Sequence, residues 1–165
     1  MKIIVRINET LYKRMLADLK RSHPTAFERV GFAFAKQGKV SKEEVLILFC
    51  DYLSLPDGCY VADENVGAQI NSTGINMAMQ KILDEQQGAF HVHLHDWPGK
   101  PNLSLTDVGG ILPLIPGFQA VGPQLPHGVL LLSRDSVICY VWLPGSGQLL
   151  AEKITIVGKQ MKFYA

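Results

Sequence analysis

An excess of either charge is missing from this chain. Its 165 residues carry 16 Lys and Arg against 15 Asp and Glu, a net charge of +1. That balance offers no electrostatic case for binding nucleic acid or an anionic membrane. Cysteine is scarce too. Cys50, Cys59 and Cys139 are an odd number without CxxC spacing, which argues against both a thiolate zinc knuckle and a disulfide framework. Cys50 and Cys139 lie in apolar runs and are expected as small buried residues. Long hydrophobic stretches are also lacking, since Val45 to Phe49 is far too short to span a bilayer. The apolar start Met1-Lys2-Ile3-Ile4-Val5 is broken at once by Arg6, unlike a secretory leader, so a cytoplasmic location is expected. No repeat, low-complexity tract or linker interrupts the sequence. With 47% hydrophobic residues it reads as globular, and a single α+β domain over residues 1–165 is expected.

Periodicity divides the chain further. Residues 2 to 7 alternate as a short strand. Leu11, Met15 and Leu19 recur at four-residue spacing, which predicts an amphipathic helix over Glu9 to Arg21. Val30 to Ala35 reads as a strand followed by a turn at Gln37-Gly38-Lys39, and Val45 to Leu53 as a buried central strand. After a turn at Pro56-Asp57-Gly58, Tyr60 to Ala62 is a short strand. A second helix is predicted from Asn71 to Gln87, with Ile75, Met79 and Ile82 as its stripe and Gly88 as its stop. A short helix from Ser104 to Leu112 should end at Pro113 and Pro116, with residues 116 to 128 as an irregular loop. Gly128 to Leu132 and Val137 to Leu143 read as paired strands, and Gln148 to Ile156 as the last one.

The chemistry concentrates between Gly88 and Asp107. In Phe90-His91-Val92-His93-Leu94-His95, three histidines alternate with three apolar residues. A strand sends successive side chains to opposite faces, so the apolar set faces a core while the imidazoles line one surface. Two histidines at i and i+2 can grip one ion. Ser104-Leu105-Thr106-Asp107 follows, and His93, His95 and Asp107 together offer zinc three ligands with a fourth position left for water. Such a centre brings the pKa of an attached water to about 7. A further carboxylate is needed to move protons, and Glu28 is the candidate because it sits at the lip of a strand. Ser104 is a candidate donor to an oxyanion.

These residues resemble the JAB/MPN metalloproteases with their JAMM motif: a distant Glu, His-x-His, seven residues, Ser, two residues, Asp. Here Glu28 and His93-Leu94-His95 are followed by eight residues, Asp96 to Leu103, and then Ser104-Leu105-Thr106-Asp107. The gap is one residue longer than usual, Asp96 stands where proline is common, and Leu94 stands where Ser or Thr is usual. The turn Asp96 to Pro101 can absorb the extra residue, since lengthening a loop costs little. The likeness covers roughly residues 24 to 145. It implies a cytidine-deaminase-like MPN fold, a central mixed sheet flanked by helices. It also implies one Zn2+ per chain held by His93, His95 and Asp107, with Glu28 as general acid/base and Ser104 as oxyanion support. The implied activity is removal or processing of a ubiquitin-like protein, in company with E1-like and E2-like enzymes. The small size is similar to bacterial versions linked to antiviral defence.

Other readings compete. Ser104-x-x-Asp107 is also a helix capping box, and Glu28 could be a surface charge. The frame His91-Val92-His93 leaves a still longer gap to Ser104, which relegates His91 to a supporting or gating place. A cupin would need an all-β chain and a following Glu, and an amidohydrolase barrel a longer chain. His23 and His127 are expected at the surface, and Trp142 in the core. Trp97 either stacks on substrate or packs its loop. A non-catalytic MPN scaffold and a small-substrate metallopeptidase stand as alternatives to the deconjugating enzyme. On loop length alone, Asp57 to Gln69 and Pro116 to His127 are where a partner would be gripped.

Overall fold

Strand pairing, described by a computed structural model for residues 1–165, joins nine strands from both ends of the chain into one mixed sheet. In chain order the elements are β1 (Lys2–Asn8), α1 (Glu9–Leu19), β2 (Val30–Lys39), β3 (Glu44–Ser54), β4 (Tyr60–Val61), β5 (Gln69–Ile70), α2 (Ser72–Glu85), β6 (Gly88–Leu94), α3 (Leu105–Ile111), α4 (Leu114–Val121), β7 (His127–Leu132), β8 (Val137–Trp142), β9 (Gln148–Leu150), β10 (Lys153–Val157) and β11 (Lys162–Tyr164). The sheet order is β11-β10-β1-β3-β2-β6-β7-β8-β9, and β4 and β5 form a separate two-stranded ribbon. The pairs β1–β10, β1–β3 and β6–β7 are parallel and the rest antiparallel. The fold is α+β. No helix is long and apolar enough to cross a membrane.

The two faces of the sheet are covered by different helices. On one face α1 buries Leu11, Tyr12, Met15 and Leu19 against β1, β3 and β6, joining Phe90, Val92 and Leu94 in the larger core. Asn8 caps this helix by accepting from the Thr10 amide at 2.8 Å. On the other face α2 and α4 pack over Val30, Phe32 and Phe34 of β2, and Phe118 of α4 meets Phe32 edge-on with ring centres 5.6 Å apart. Burying each such aromatic ring contributes roughly 1.5–3 kcal/mol. Ile111 of α3 closes a third cluster with Val129, Leu131 and Ile138.

Several local expectations are corrected. Gln37-Gly38-Lys39 continues β2 rather than turning, because Lys39 pairs with Val45 across a hairpin that lies beyond it. Helix α2 stops through Gln86, whose φ of 52° is left-handed, and Gly88 instead opens β6. Its fully buried side is Gly74, Ala78 and Ile82, while Ile75 and Met79 are only partly covered. Residues 116–121 are helical. Pro116 is the third residue of α4, inside the first turn, where a missing N–H breaks no intrahelical bond. The final expected strand divides into β9 and β10, and β11 follows. Strand β3 is central but not buried on both faces, since Leu48 and Cys50 are exposed. His127 is fully buried, accepting from the Ala89 amide and lying 2.8 Å from the Gly122 carbonyl oxygen. The His23 side chain is buried too, its Nδ1 accepting from the amides of Thr25 and Ala26. Trp142 is half-buried at the rim of the third cluster.

Candidate metal centre

The geometry of the site follows from β6 lying between β2 and β7. All seven residues of that strand are buried, so its histidine face is an interior surface and not a solvated one. The register pairs Val30 with His93 and Phe32 with His91 across the antiparallel β2–β6 ladder. Two residues before Val30, the chain that carries Glu28 therefore runs toward His95. His95 lies one residue past β6, and its amide still donates to the Leu132 carbonyl at 2.8 Å. Long-range proximity of Glu28 to the histidine pair is thus a product of strand register.

Asp107 arrives from the opposite side. Ser104 caps α3: its hydroxyl oxygen accepts from the Asp107 amide at 3.1 Å, and Asp107 Oδ2 accepts from the Ser104 amide at 2.7 Å. The capping reading of this motif is therefore real, and it serves the site by fixing the carboxylate. Asp107 Oδ1 lies 3.4 Å from His93 Nε2, Oδ2 lies 3.5 Å from His95 Nε2, and the two Nε2 atoms are 2.9 Å apart. A tetrahedral zinc ion with arms of about 2.0–2.1 Å has ligand-to-ligand edges of about 3.3–3.4 Å. The three spacings surround that value, so one ion fits among these side chains.

Electrostatics points the same way. Burial, then the neighbouring His93, holds His95 below its ordinary pKa, and the same causes push His91 down to about 3. At neutral pH both are uncharged, the form in which imidazole binds metal. Burial acts to raise the pKa of Asp107, but His93 and Ser104 outweigh it and keep the carboxylate ionised. The Nδ1 atoms of His91, His93 and His95 are all buried without a protein hydrogen-bond partner. A neutral imidazole offers Nε2 to an ion only as its Nδ1–H tautomer; with both rings in that form the 2.9 Å Nε2–Nε2 approach sets two lone pairs face to face, an arrangement that a cation between them relieves.

Glu28 and Ser104 line the same cavity as the triad, a cleft of about 660 Å³ whose apolar walls include Val30, Ile75, Ile111 and Leu114. Burial raises the Glu28 pKa, with His93 lowering it and Asp107 raising it further. That environment suits a carboxyl group that must accept and return a proton. The segment around Glu28 is pinned on both flanks. Arg29, itself buried, donates to the carbonyls of Arg21 and Ser22 and to Asp57, while Tyr60 Oη both donates to the Val30 carbonyl and accepts from its amide. All five sequence-derived site residues thus border one cavity. His91 lines it as well but lies outside the convergent set.

Trp97 stacks on His95 with ring centres 4.4 Å apart and planes 28° from parallel, and it remains 52% exposed at the cavity mouth. Its loop is tied down: the Arg134 amide donates to the Trp97 carbonyl, Arg134 pairs with Asp96 at 3.0 Å, and the Gly99 amide donates to Asp135. Gly99 supplies the positive φ, 98°, that lets the longer spacer turn back toward Ser104. Asn65, Gly67 and Thr106 also line the cavity, the first two from the segment Asp57 to Gln69 that loop length alone picked out, though nothing in the sequence marked the three individually. No periodicity marks them, because they reach it from a loop and from the first turn of α3. No protein-family model matches this chain, and no curated protein matches it.

Proposed function

We propose that the chain is a zinc-dependent hydrolase of amide or isopeptide bonds, of the JAMM type within an MPN/JAB fold, which removes or processes a ubiquitin-like protein. The observation that carries this reading is the convergence of His93, His95 and Asp107 at zinc-like spacing beside a half-buried Glu28. The spacing of Ser104 and Asp107 after the histidine pair adds to it. A bound zinc ion supplies an electrophile for the scissile carbonyl and acidifies a water molecule. Glu28 takes the water's proton and delivers it to the departing amine, a task suited to its raised pKa. Ser104 accepts a hydrogen bond at Oγ but keeps its own hydroxyl proton, free to donate to the oxyanion that develops on the carbonyl. Strand β5 pairs only with β4, and Gln69 and Ile70 border the cavity, so an extended Gly-Gly tail can add along its free edge. E1-like and E2-like enzymes are the proposed partners in such a pathway.

The cavity volume of about 660 Å³ favours a second reading, a small-substrate metallopeptidase, because clefts of this size hold whole small ligands. One experiment separates the two. Zinc-loaded protein is offered Gly-Gly-linked ubiquitin-like fusions alongside short acylated amino acids and dipeptides. Cleavage confined to the fusions supports deconjugation, and cleavage confined to the small amides supports the alternative. No hydrolysis of either by protein containing one equivalent of zinc overturns the enzymatic reading and leaves a non-catalytic scaffold.

A further inference from the structure

We propose that Gly67 is a positioning residue for Glu28, a role that rests on the hydrolytic reading above. The amides of Phe27 and Glu28 both donate to the Gly67 carbonyl oxygen, each at 2.9 Å. The loop between β4 and β5 therefore holds the backbone from which the carboxylate projects. The side chain meets the same residue. A Cβ added at Gly67 would lie 2.6 Å from Glu28 Oε2, 2.7 Å from Cδ and 3.2 Å from Cγ, against 3.4 Å or more for ordinary contact.

Conformation is not the reason for glycine here, since the positive-φ glycines are Gly99 and Gly145. The demand is for space, and all three of the nearest atoms belong to Glu28. An alanine would fit its own backbone and push the end of a flexible side chain by about 1 Å, leaving the fold in place. A shift of that size at a reacting group costs on the order of 10²-fold in rate. Gly67 borders the cavity itself, so it is a seat: its carbonyl fixes where the carboxylate starts and its missing side chain fixes where the carboxylate ends.

Gly67→Ala tests the proposal, with Gly38→Ala as control because nothing lies within 4 Å of a Cβ at Gly38. In zinc-loaded protein cleaving a Gly-Gly fusion, Gly67→Ala is expected to lower kcat about 10²-fold with KM and zinc content unchanged. In a Glu28→Gln background the same substitution should cost nothing more, because its effect passes through Glu28. The side-chain carboxyl carbon of Glu28, followed by NMR, should shift in Gly67→Ala and stay put in Gly38→Ala. That readout needs no turnover, so it judges the seat even where hydrolysis itself fails to appear. An unmoved carboxyl resonance, or an equal further loss in the Glu28→Gln background, overturns the proposal. Should Gly67→Ala not fold, Glu28→Ala/Gly67→Ala removes the colliding atoms and is expected to fold. Failure of that double variant assigns the glycine to the fold alone and overturns the seat.

Discussion

Zinc should raise the melting temperature of this protein, and Asp107→Asn should abolish the rise without weakening the metal-free fold. Two ligands belong to the β6 segment and the third to α3, so an ion ties a helix to the sheet in the folded chain only. At a free zinc concentration a hundredfold above Kd, binding to the native state alone contributes about 2.7 kcal/mol. For a chain of this length each kcal/mol is worth roughly 2–4 °C, so the midpoint should rise by about 5–10 °C. Asparagine keeps an oxygen to accept from the Ser104 amide, the bond Asp107 makes at 2.7 Å, so the cap of α3 survives. The charge and a ligand oxygen for the ion are lost. Loss of a supporting group alone weakens metal sites by 10–100-fold, and loss of a direct ligand should exceed about 10². At the same zinc concentration the shift then falls to about 0.4 kcal/mol or less, near 1 °C. Differential scanning calorimetry with and without zinc, after chelator treatment, reads both quantities. An equal zinc-induced rise in wild type and Asp107→Asn would show that the ion sits elsewhere and would refute the centre.

Glu28→Gln should retain zinc while lowering turnover by roughly 10²–10⁴; undiminished cleavage by a zinc-replete variant would remove Glu28 from the mechanism. Asp51 is drawn to a pKa of about 2: burial raises it, but Lys81, Arg14 and the Tyr52 amide prevail. Because the folded value lies below the ordinary one, its stabilisation is present above about pH 4 and fades as the pH drops toward 2. A lowering of that size is worth roughly 2.5 kcal/mol, and the 35% exposure of Asp51 reduces it to about 1 kcal/mol. Unfolding free energies of wild type and Asp51→Asn from urea titration should therefore converge by about 1 kcal/mol between pH 5 and 2, and a constant gap would contradict the assignment. Gly88→Ala would set a methyl group against the backbone carbonyl of Pro126, and should cost at least about 2–3 kcal/mol in chemical denaturation; a loss below 0.5 kcal/mol would show that this approach is loose.

Residues whose meaning depends on near neighbours were legible in the sequence. The alternation of Phe90, Val92 and Leu94 with three histidines gave both faces of β6, and Ser104 with Asp107 gave the start of α3. What depended on distant packing was not. Gly88 looked like a helix stop because it follows an amphipathic run, whereas its smallness is required by Pro126 from another part of the chain. Pro116 looked like a terminator because proline usually is one, and only its place within the first turn of α4 makes it harmless. Cys50 looked buried because its neighbours are apolar, but it sits on a part of the sheet face that leaves Leu48 exposed too. Loop length picked out the segment that holds Gly67 but nothing local marked the glycine itself, since its importance lies in an atom it lacks beside a residue 39 positions earlier in the chain.

The two sides of the proposed metal cradle differ in stiffness. His93 is held on a strand hydrogen-bonded on both sides, with His95 directly at its end, while Asp107 rides on a seven-residue helix that buries Ile111 and contains two adjacent glycines, Gly109 and Gly110. Each glycine weakens a helix by about 1 kcal/mol relative to alanine. Amide protons of β6 should thus outlast those of α3 in hydrogen exchange, and an ion would leave when the helix frays, with the imidazole pair still standing ready for the next one.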